Sequence, residues 1–342
     1  MTKKMTYAES GVNIQAGEDS VNKIKPLVKK TFNKNVLTEI GSFGGLYQVD
    51  LEKWKKPVLV ASTDGVGTKL MIAIKAGKYD TVGQDLVNHC VNDIFVQGAH
   101  PQFFLDYIGV GKLDPEIMEK IIAGFAHACA EHGMALIGGE MAEMPGIYGE
   151  DDFDLAGTIV GIVEKDNIVT GEKIKEGDVI IGYKSSGLHT NGYSLARKII
   201  FEKCKLGVDS KIPGTETSVA EALLQVHISY YDLLKKYSDR GDINGMAHIT
   251  GGGLEGNVKR VMPDGLVAEI DTSSWQIPDL FKFLVKEGNV ELKEAFKAFN
   301  MGIGYVIMVD SDKSKSIAEE TNGIIVGSVK KTEKKEKVCL KY

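Results

Sequence analysis

Polar residues and glycines dominate the first 50 positions of the chain, and apolar residues there are scattered, so residues 1–50 are expected to form a mobile arm. The first buried-strand signal is the apolar run Pro57-Val-Leu-Val-Ala-Ser62. Helical spacing follows over 80–97, then a strand over 103–108. Asp114-Pro115-Glu116 is a helix start, with Asp as cap and Pro at the first position, and that helix stops at Gly133. Strands over 134–137 and 155–163 complete a first unit. A polar, glycine-flanked stretch at 170–177 marks a domain boundary. Beyond it the pattern predicts strands over 179–183, 266–270, 305–309 and 324–326. Helices are predicted over 193–203, 219–237, 254–262 and 291–299. The irregular alternation favours an α+β protein of two mixed α/β domains, 1–169 and 170–342, over a doubly wound sheet.

Length supports that division, because 342 residues exceed the usual limit of one core. With 41 basic and 47 acidic residues the formal charge is −6, and the only lysine cluster is Lys330, Lys331, Lys334, Lys335 and Lys337. That balance argues against a nucleic-acid partner. No apolar run reaches the ~20 residues of a membrane helix. The polar opening does not read as a signal peptide. Cys90, Cys129, Cys204 and Cys339 form no CxxC pair and read as reduced thiols of a cytoplasmic protein. Glycine alone departs from the average: 39 of 342 residues, about 11% against roughly 7%. Many of these glycines sit in loops beside Asp, Thr or Asn, where backbone can approach a ligand.

Ser62-Thr-Asp-Gly-Val-Gly-Thr-Lys69 ends the first strand. Asp64 there can hold a divalent cation, Gly65 and Gly67 can offer backbone N–H groups, and Thr68 and Lys69 can meet a phosphate. A strand-to-loop turn with a capping Asp is the other reading, and no Walker GxxxxGK[ST] occurs. On the helix over 80–97, Asp85, Asn88, His89 and Asn92 share one polar arc, while Asp93 falls outside it among apolar neighbours. A metal, a lysine or a cap would satisfy such an acid. Glu140, in Gly138-Gly-Glu140, lies just past a strand, so Asp64, Asp93 and Glu140 are expected to converge on Mg²⁺. The histidines show no HxxxH or HExxH spacing, which disfavours zinc. Ser185–Tyr193, carrying His189 and Asn191, and His248-Ile-Thr250-Gly251-Gly252-Gly253 are candidate anion loops. The GxGxxG match within the latter is rejected as a dinucleotide site, because the segment before it is polar and the helix after it is short.

Several motifs stand in order along the chain: Ser10-Gly-Val-Asn-Ile-Gln-Ala-Gly17, Thr63-Asp-Gly-Val-Gly-Thr-Lys69, Cys90-Val-Asn-Asp93 and Gly138-Gly-Glu140 with Ala142-Glu-Met-Pro-Gly146. His189-Thr-Asn-Gly-Tyr-Ser194, Ile249-Thr-Gly-Gly-Gly-Leu254 and Phe299-Asn-Met-Gly-Ile-Gly304 follow. Together they resemble the phosphoribosylformylglycinamidine cyclo-ligase (AIR synthetase) family from end to end. Met141 stands where the family usually has Thr, and His189-Thr190 where it usually has His-Ser. The resemblance implies ring closure of formylglycinamidine ribonucleotide at the expense of ATP, giving aminoimidazole ribonucleotide, ADP and phosphate. It also implies a homodimer whose N-terminal domains share a barrel. By the same resemblance Asp64, Asp93 and Glu140 would take Mg²⁺–ATP and Lys69 a phosphate. The arm around residues 10–17 would close over the nucleotide. His189, favoured, and His248 would serve proton transfer or substrate contact. Asn191 and Thr250 to Gly253 would hold the substrate phosphate. The competing readings are a relative of the same ATP-binding superfamily (formylglycinamidine synthase, selenophosphate synthetase, thiamine-phosphate kinase) and a non-catalytic nucleotide-binding scaffold.

Overall fold

A computed structural model describes residues 13–342. Residues 1–12 of the expected arm lie outside that range. The rest of the arm is not all loop, because α1 (Ile14–Lys29) occupies it. Asn13 caps this helix by accepting from the Ala16 amide, and Ala16, Ser20, Ile24 and Val28 form a narrow buried stripe at intervals of four. The stripe contains a serine and the helix contains Pro26, so apolar periodicity alone does not disclose it.

The first half builds β1 (Pro57–Gly65), α2 (Leu70–Ala76), α3 (Val82–Phe95), β2 (His100–Val110), α4 (Pro115–Glu131), β3 (Ala135–Glu143) and β4 (Phe153–Glu164). Its sheet has the order β1-β4-β2-β3, antiparallel except for the β2–β3 pair. Asp114 caps α4 with Pro115 in the first turn. Helices α3 and α4 touch backbone to backbone: a Cβ on Gly83 would stand 2.4 Å from the Ile121 carbonyl oxygen. Outward positions of β1, including Leu59, are exposed, and β1 and β3 are unpaired edges among the described residues.

The second half contains β5 (Val179–Lys184), α5 (Tyr193–Arg197), α6 (Val219–Leu223), α7 (Tyr231–Asp239), β6 (Ile243–His248), α8 (Gly253–Val258) and β7 (Leu266–Asp271). It ends with α9 (Asp279–Gly288), α10 (Leu292–Ala298), β8 (Ile303–Val309), α11 (Ser311–Thr321), β9 (Ile324–Lys331) and β10 (Val338–Lys341). The sheet order is β10-β7-β9-β5-β8-β6, antiparallel except for β10–β7. Two departures from the predicted pattern matter for the site. Strand β6 was not anticipated, although all six of its residues are buried. The helix expected over 219–237 is two helices, with an irregular stretch at 224–230 between them.

Candidate active site

Helix α3 explains that interruption. Its polar arc faces the second half of the chain rather than solvent. Asp85 Oδ1 accepts from the His227 amide at 2.8 Å, and Asn88 Nδ2 donates to the His227 carbonyl at 2.8 Å. Asn92 donates to the Ile228 carbonyl at 2.7 Å and accepts from the Tyr230 amide at 2.9 Å. These side chains satisfy backbone groups that a continuous helix would have paired internally.

The fourth member of the arc, His89, opens a chain of polar side chains. Its Nε2 lies 2.8 Å from Asp64 Oδ2 at the end of β1 and 3.6 Å from Asp93 Oδ2. Its Nδ1 lies 2.7 Å from Thr190 Oγ1, which is 3.3 Å from His227 Nδ1. His227 Nε2 is 3.0 Å from His248 Nε2, and His248 Nδ1 is 2.8 Å from Asp93 Oδ1. Burial disfavours a charged His89, but Asp64 and Asp93 outweigh it and raise the imidazole to about 9. Burial likewise opposes the Asp93 carboxylate, and His248 and His89 prevail to hold it well below the usual range. For His227, burial and then the neighbouring imidazoles push the pKa well down, and burial lowers His248 despite Asp93.

Asp64 and Asp93 are thus brought together, and both keep partial exposure, 42% and 26% of their side chains. Two partly exposed carboxylates around one cation form a donor set that suits Mg²⁺. The other expected members behave differently. Glu140 lies on β3, at the opposite edge of the sheet from β1, roughly 14 Å away at the usual strand spacing. Within one chain it does not join Asp64 and Asp93. It stands near Asp106 on β2, whose carboxyl is pushed up to about 7 by burial and, to a lesser extent, by Glu140.

Lys69 is fully buried, with its ammonium 2.8 Å from Asp85 Oδ2 and donating to the His189 and Gln225 carbonyls at 3.3 and 2.6 Å. Its three donors are spent inside the protein, so the expected phosphate contact is replaced by a tie between the two halves. Burial pulls the Lys69 pKa down and the Asp85 pKa up, each opposed by the other's charge. Thr68 Oγ1 lies 3.2 Å from Ser194 Oγ, while Gly65 ends β1 and Gly67 turns the chain at φ +69°.

A cleft of about 520 Å³ opens beside Asp93 and is lined by Ser62, His248, Thr250, Asn257 and Arg260 among others. His189, favoured over His248 from its motif, does not line this cleft. It is 1% exposed, its ring stacks on His227 at 4.0 Å, and burial followed by nearby positive groups holds it neutral. His248 does line the cleft, but both its ring nitrogens are engaged. Asn191 sits against the Thr250–Gly253 loop, near Gly251. That loop is organised around Asn257, whose amide donates to the Thr250, Gly251 and Gly253 carbonyls. Gly252 and Gly253 have φ +95° and +62°, and a Cβ on Gly253 would meet the Phe296 carbonyl oxygen, so backbone geometry already accounts for these two.

Arg260 was not singled out from sequence. It is exposed and is the only Lys or Arg among the described residues lining the cleft. His189, His227 and His248 also approach one another closely enough to suggest a metal trio. Their hydrogen bonds and the stacking of His189 on His227 define a polar stack instead, because parallel rings do not aim their lone pairs at one point.

Residues 48–163 match the AIR synthase related protein N-terminal domain, and residues 175–339 match the AIR synthase related protein C-terminal domain. The fold is therefore that of the two-domain AIR synthase related proteins. The chain is 50% identical to the phosphoribosylformylglycinamidine cyclo-ligase of Trichlorobacter lovleyi, covering 97% of each chain. It is 44% identical to that of Alkaliphilus metalliredigens, covering 99% of each. The chain belongs to the phosphoribosylformylglycinamidine cyclo-ligase family. Among solved structures, thiamine-monophosphate kinase from Stenotrophomonas maltophilia superposes with a TM-score of 0.66 at 16% identity, over 94% of this chain and 95% of that one. The hydrogenase maturation protein HypE in complex with ATP gives 0.65 at 18% identity, over 92% and 88%. At such identities the likeness is one of fold.

Proposed function

We propose that this chain is an ATP-dependent ligase that closes the imidazole ring of formylglycinamidine ribonucleotide, yielding aminoimidazole ribonucleotide, ADP and phosphate. The observation that carries the reading is the cleft, which runs from Asp93, linked through His89 to Asp64, to Thr250, Asn257 and one arginine, Arg260. An amide oxygen leaves poorly, so the γ-phosphoryl group of ATP is transferred to the formamide oxygen. The amidine nitrogen then attacks the formyl carbon, a proton leaves that nitrogen, and the oxygen departs as inorganic phosphate. Asp64 and Asp93 would hold Mg²⁺, which supplies charge neutralisation on the transferring phosphoryl group. Thr250, the Gly251–Gly253 loop, Asn191 and Arg260 would take the ribonucleotide phosphate, with Arg260 providing the fixed charge.

The unpaired edges β1 and β3 and the exposed Leu59 support closing the four-stranded sheet into a barrel with a second copy, as a homodimer. No helix among the described residues is long and apolar enough to cross a membrane. A cytoplasmic location is part of the proposal. The test is phosphate release by the purified chain with ATP, Mg²⁺ and formylglycinamidine ribonucleotide. Release that requires the ribonucleotide supports the ligase, whereas ATP binding without turnover would return the scaffold reading.

A further inference from the structure

His89 and Asp93 stand four positions apart on α3, so one helix face presents an imidazole and a carboxylate side by side. His248, the last residue of β6, meets them from the second half of the chain. One ligand atom from each of these three side chains lies within 4.8 Å of the other two. Asp64 completes the group, its Oδ2 lying 2.8 Å from His89 Nε2. The remaining contacts are 3.6 Å from His89 Nε2 to Asp93 Oδ2 and 2.8 Å from His248 Nδ1 to Asp93 Oδ1. A tetrahedral ion with arms of ~2.0–2.1 Å holds neighbouring ligand atoms about 3.3 Å apart, and the three contacts bracket that edge. The rings are also oriented as ligands are. Each keeps a polar contact on its other nitrogen, His89 Nδ1 with Thr190 Oγ1 at 2.7 Å and His248 Nε2 with His227 Nε2 at 3.0 Å. Unlike the stacked His189 and His227, the rings of His89 and His248 meet at 75°, so their nitrogens can converge. Both rings are almost inaccessible, at 5% and 3% exposed, while Asp93 and His248 line the cleft and give an ion its path.

We propose that His89, His248, Asp93 and Asp64 form a four-ligand site for a borderline transition-metal ion of the Zn²⁺ and Co²⁺ class, joining the two halves of the chain. Its donor set differs from the carboxylate pair assigned to Mg²⁺. Mg²⁺ takes oxygen ligands, keeps several waters and leaves the imidazoles out, whereas an ion of this class takes both imidazoles as well. Asp93 serves either ion, so the two exclude each other. Local spacing could not disclose the site, because its imidazoles come from α3 and β6. The inference does not rest on the ligase reaction.

The test titrates the purified full chain, first stripped with chelator, with Co²⁺ alone. A single equivalent should develop the intense visible absorption of four-coordinate cobalt. Proton NMR of that complex should show two hyperfine-shifted exchangeable N–H signals, one from each liganding imidazole. His89→Gln and His248→Gln should each remove one of these signals. Each should also raise the Co²⁺ dissociation constant at least tenfold, the lower end of what losing even an outer-shell partner costs a metal site. His127→Gln, on the exposed part of α4 where His127 lies 3.4 Å from Glu131, should change neither readout. The weak absorption of a six-coordinate ion, fewer than two imidazole signals in the wild type, or an unchanged Co²⁺ affinity in His248→Gln overturns the proposal. The wild-type spectra decide the matter even where a variant fails to fold. No readout involves turnover, so a failure of the ligase reading is separate from a failure of this site.

Discussion

Asp106 offers the sharpest test of the electrostatics. It is 8% exposed and borders a cavity of about 260 Å³ beneath α1, with Glu140 nearby. Among the described residues no cation neutralises it, and burial raises its carboxyl from 3.8 to about 7. A carboxyl with a raised folded-state pKa binds its proton more tightly in the folded protein. Its contribution to stability is full below the unfolded value near pH 4 and is lost as the pH rises toward 7. A shift of about three units corresponds to about 4 kcal/mol, of which about 2.5 kcal/mol falls between pH 5 and pH 8. Asp106→Asn keeps the shape and removes the ionisation. Urea unfolding of both proteins at pH 5 and pH 8, with chelator present so that no divalent cation neutralises the site, isolates this contribution. The variant's stability relative to wild type should rise by about 2.5 kcal/mol from pH 5 to pH 8. A relative stability that stays constant within about 0.5 kcal/mol would refute the claim that this carboxylate is buried without a counter-charge.

Asp93→Asn should abolish ribonucleotide-dependent phosphate release while leaving the circular dichroism spectrum and unfolding cooperativity intact; near-normal turnover would remove Asp93 from the metal site. Lys69→Met leaves Asp85 charged and unpaired in the interior, and should cost about 3–5 kcal/mol in urea unfolding at pH 7. A loss under about 1 kcal/mol would mean that the pair is not what joins the halves. Arg260→Ala should raise the KM for the ribonucleotide at least tenfold, because it removes a charge-assisted phosphate contact of about 1.5–3 kcal/mol, with the KM for ATP little affected. Equal changes in both constants would point to a general disturbance of the cleft.

Elements that obey one periodicity were legible in the sequence. The Asp114-Pro115 start of α4 is a case where local propensity and tertiary structure agree, whereas the apolar run at 57–62 forms a strand, β1, that lies half exposed at a sheet edge instead of buried. Strand β6 was not, because Ile-Asn-Gly-Met-Ala-His has neither alternation nor an apolar run. Its polar Asn244 is tolerated in the interior because Asp178 and Asp310 accept its hydrogens. In the site, Asp64 and Asp93 could be singled out from the motifs around them. The meeting of His89, His189, His227 and His248 could not, since ligand-spacing rules detect only partners on one local element. That Glu140 does not join Asp64 and Asp93 within one chain has a related reason: proximity to a strand end does not reveal which edge of the sheet that strand will occupy.

The polar arc of α3 shows why the remaining error was systematic. Helical amphipathicity equates the polar face with solvent, and lysine with the surface, because an unpaired buried polar group is too costly. Here Asp85, Asn88 and Asn92 find backbone partners at 227–230, more than 130 positions away, and Asp85 also finds Lys69. The cost of burying them is offset by groups whose own helix is interrupted to meet them. Neither the interruption nor the burial is favourable without the other, so no local window can reveal either one. The same coupling gives the site its rigidity. Asp93 and His89 project from the helix whose polar face is fastened to the second half, and a second link from His89 to Asp93, through Thr190 and His248, passes through His227, within the interrupted stretch. A substitution in the α3 arc should therefore perturb stability and the geometry at Asp93 together.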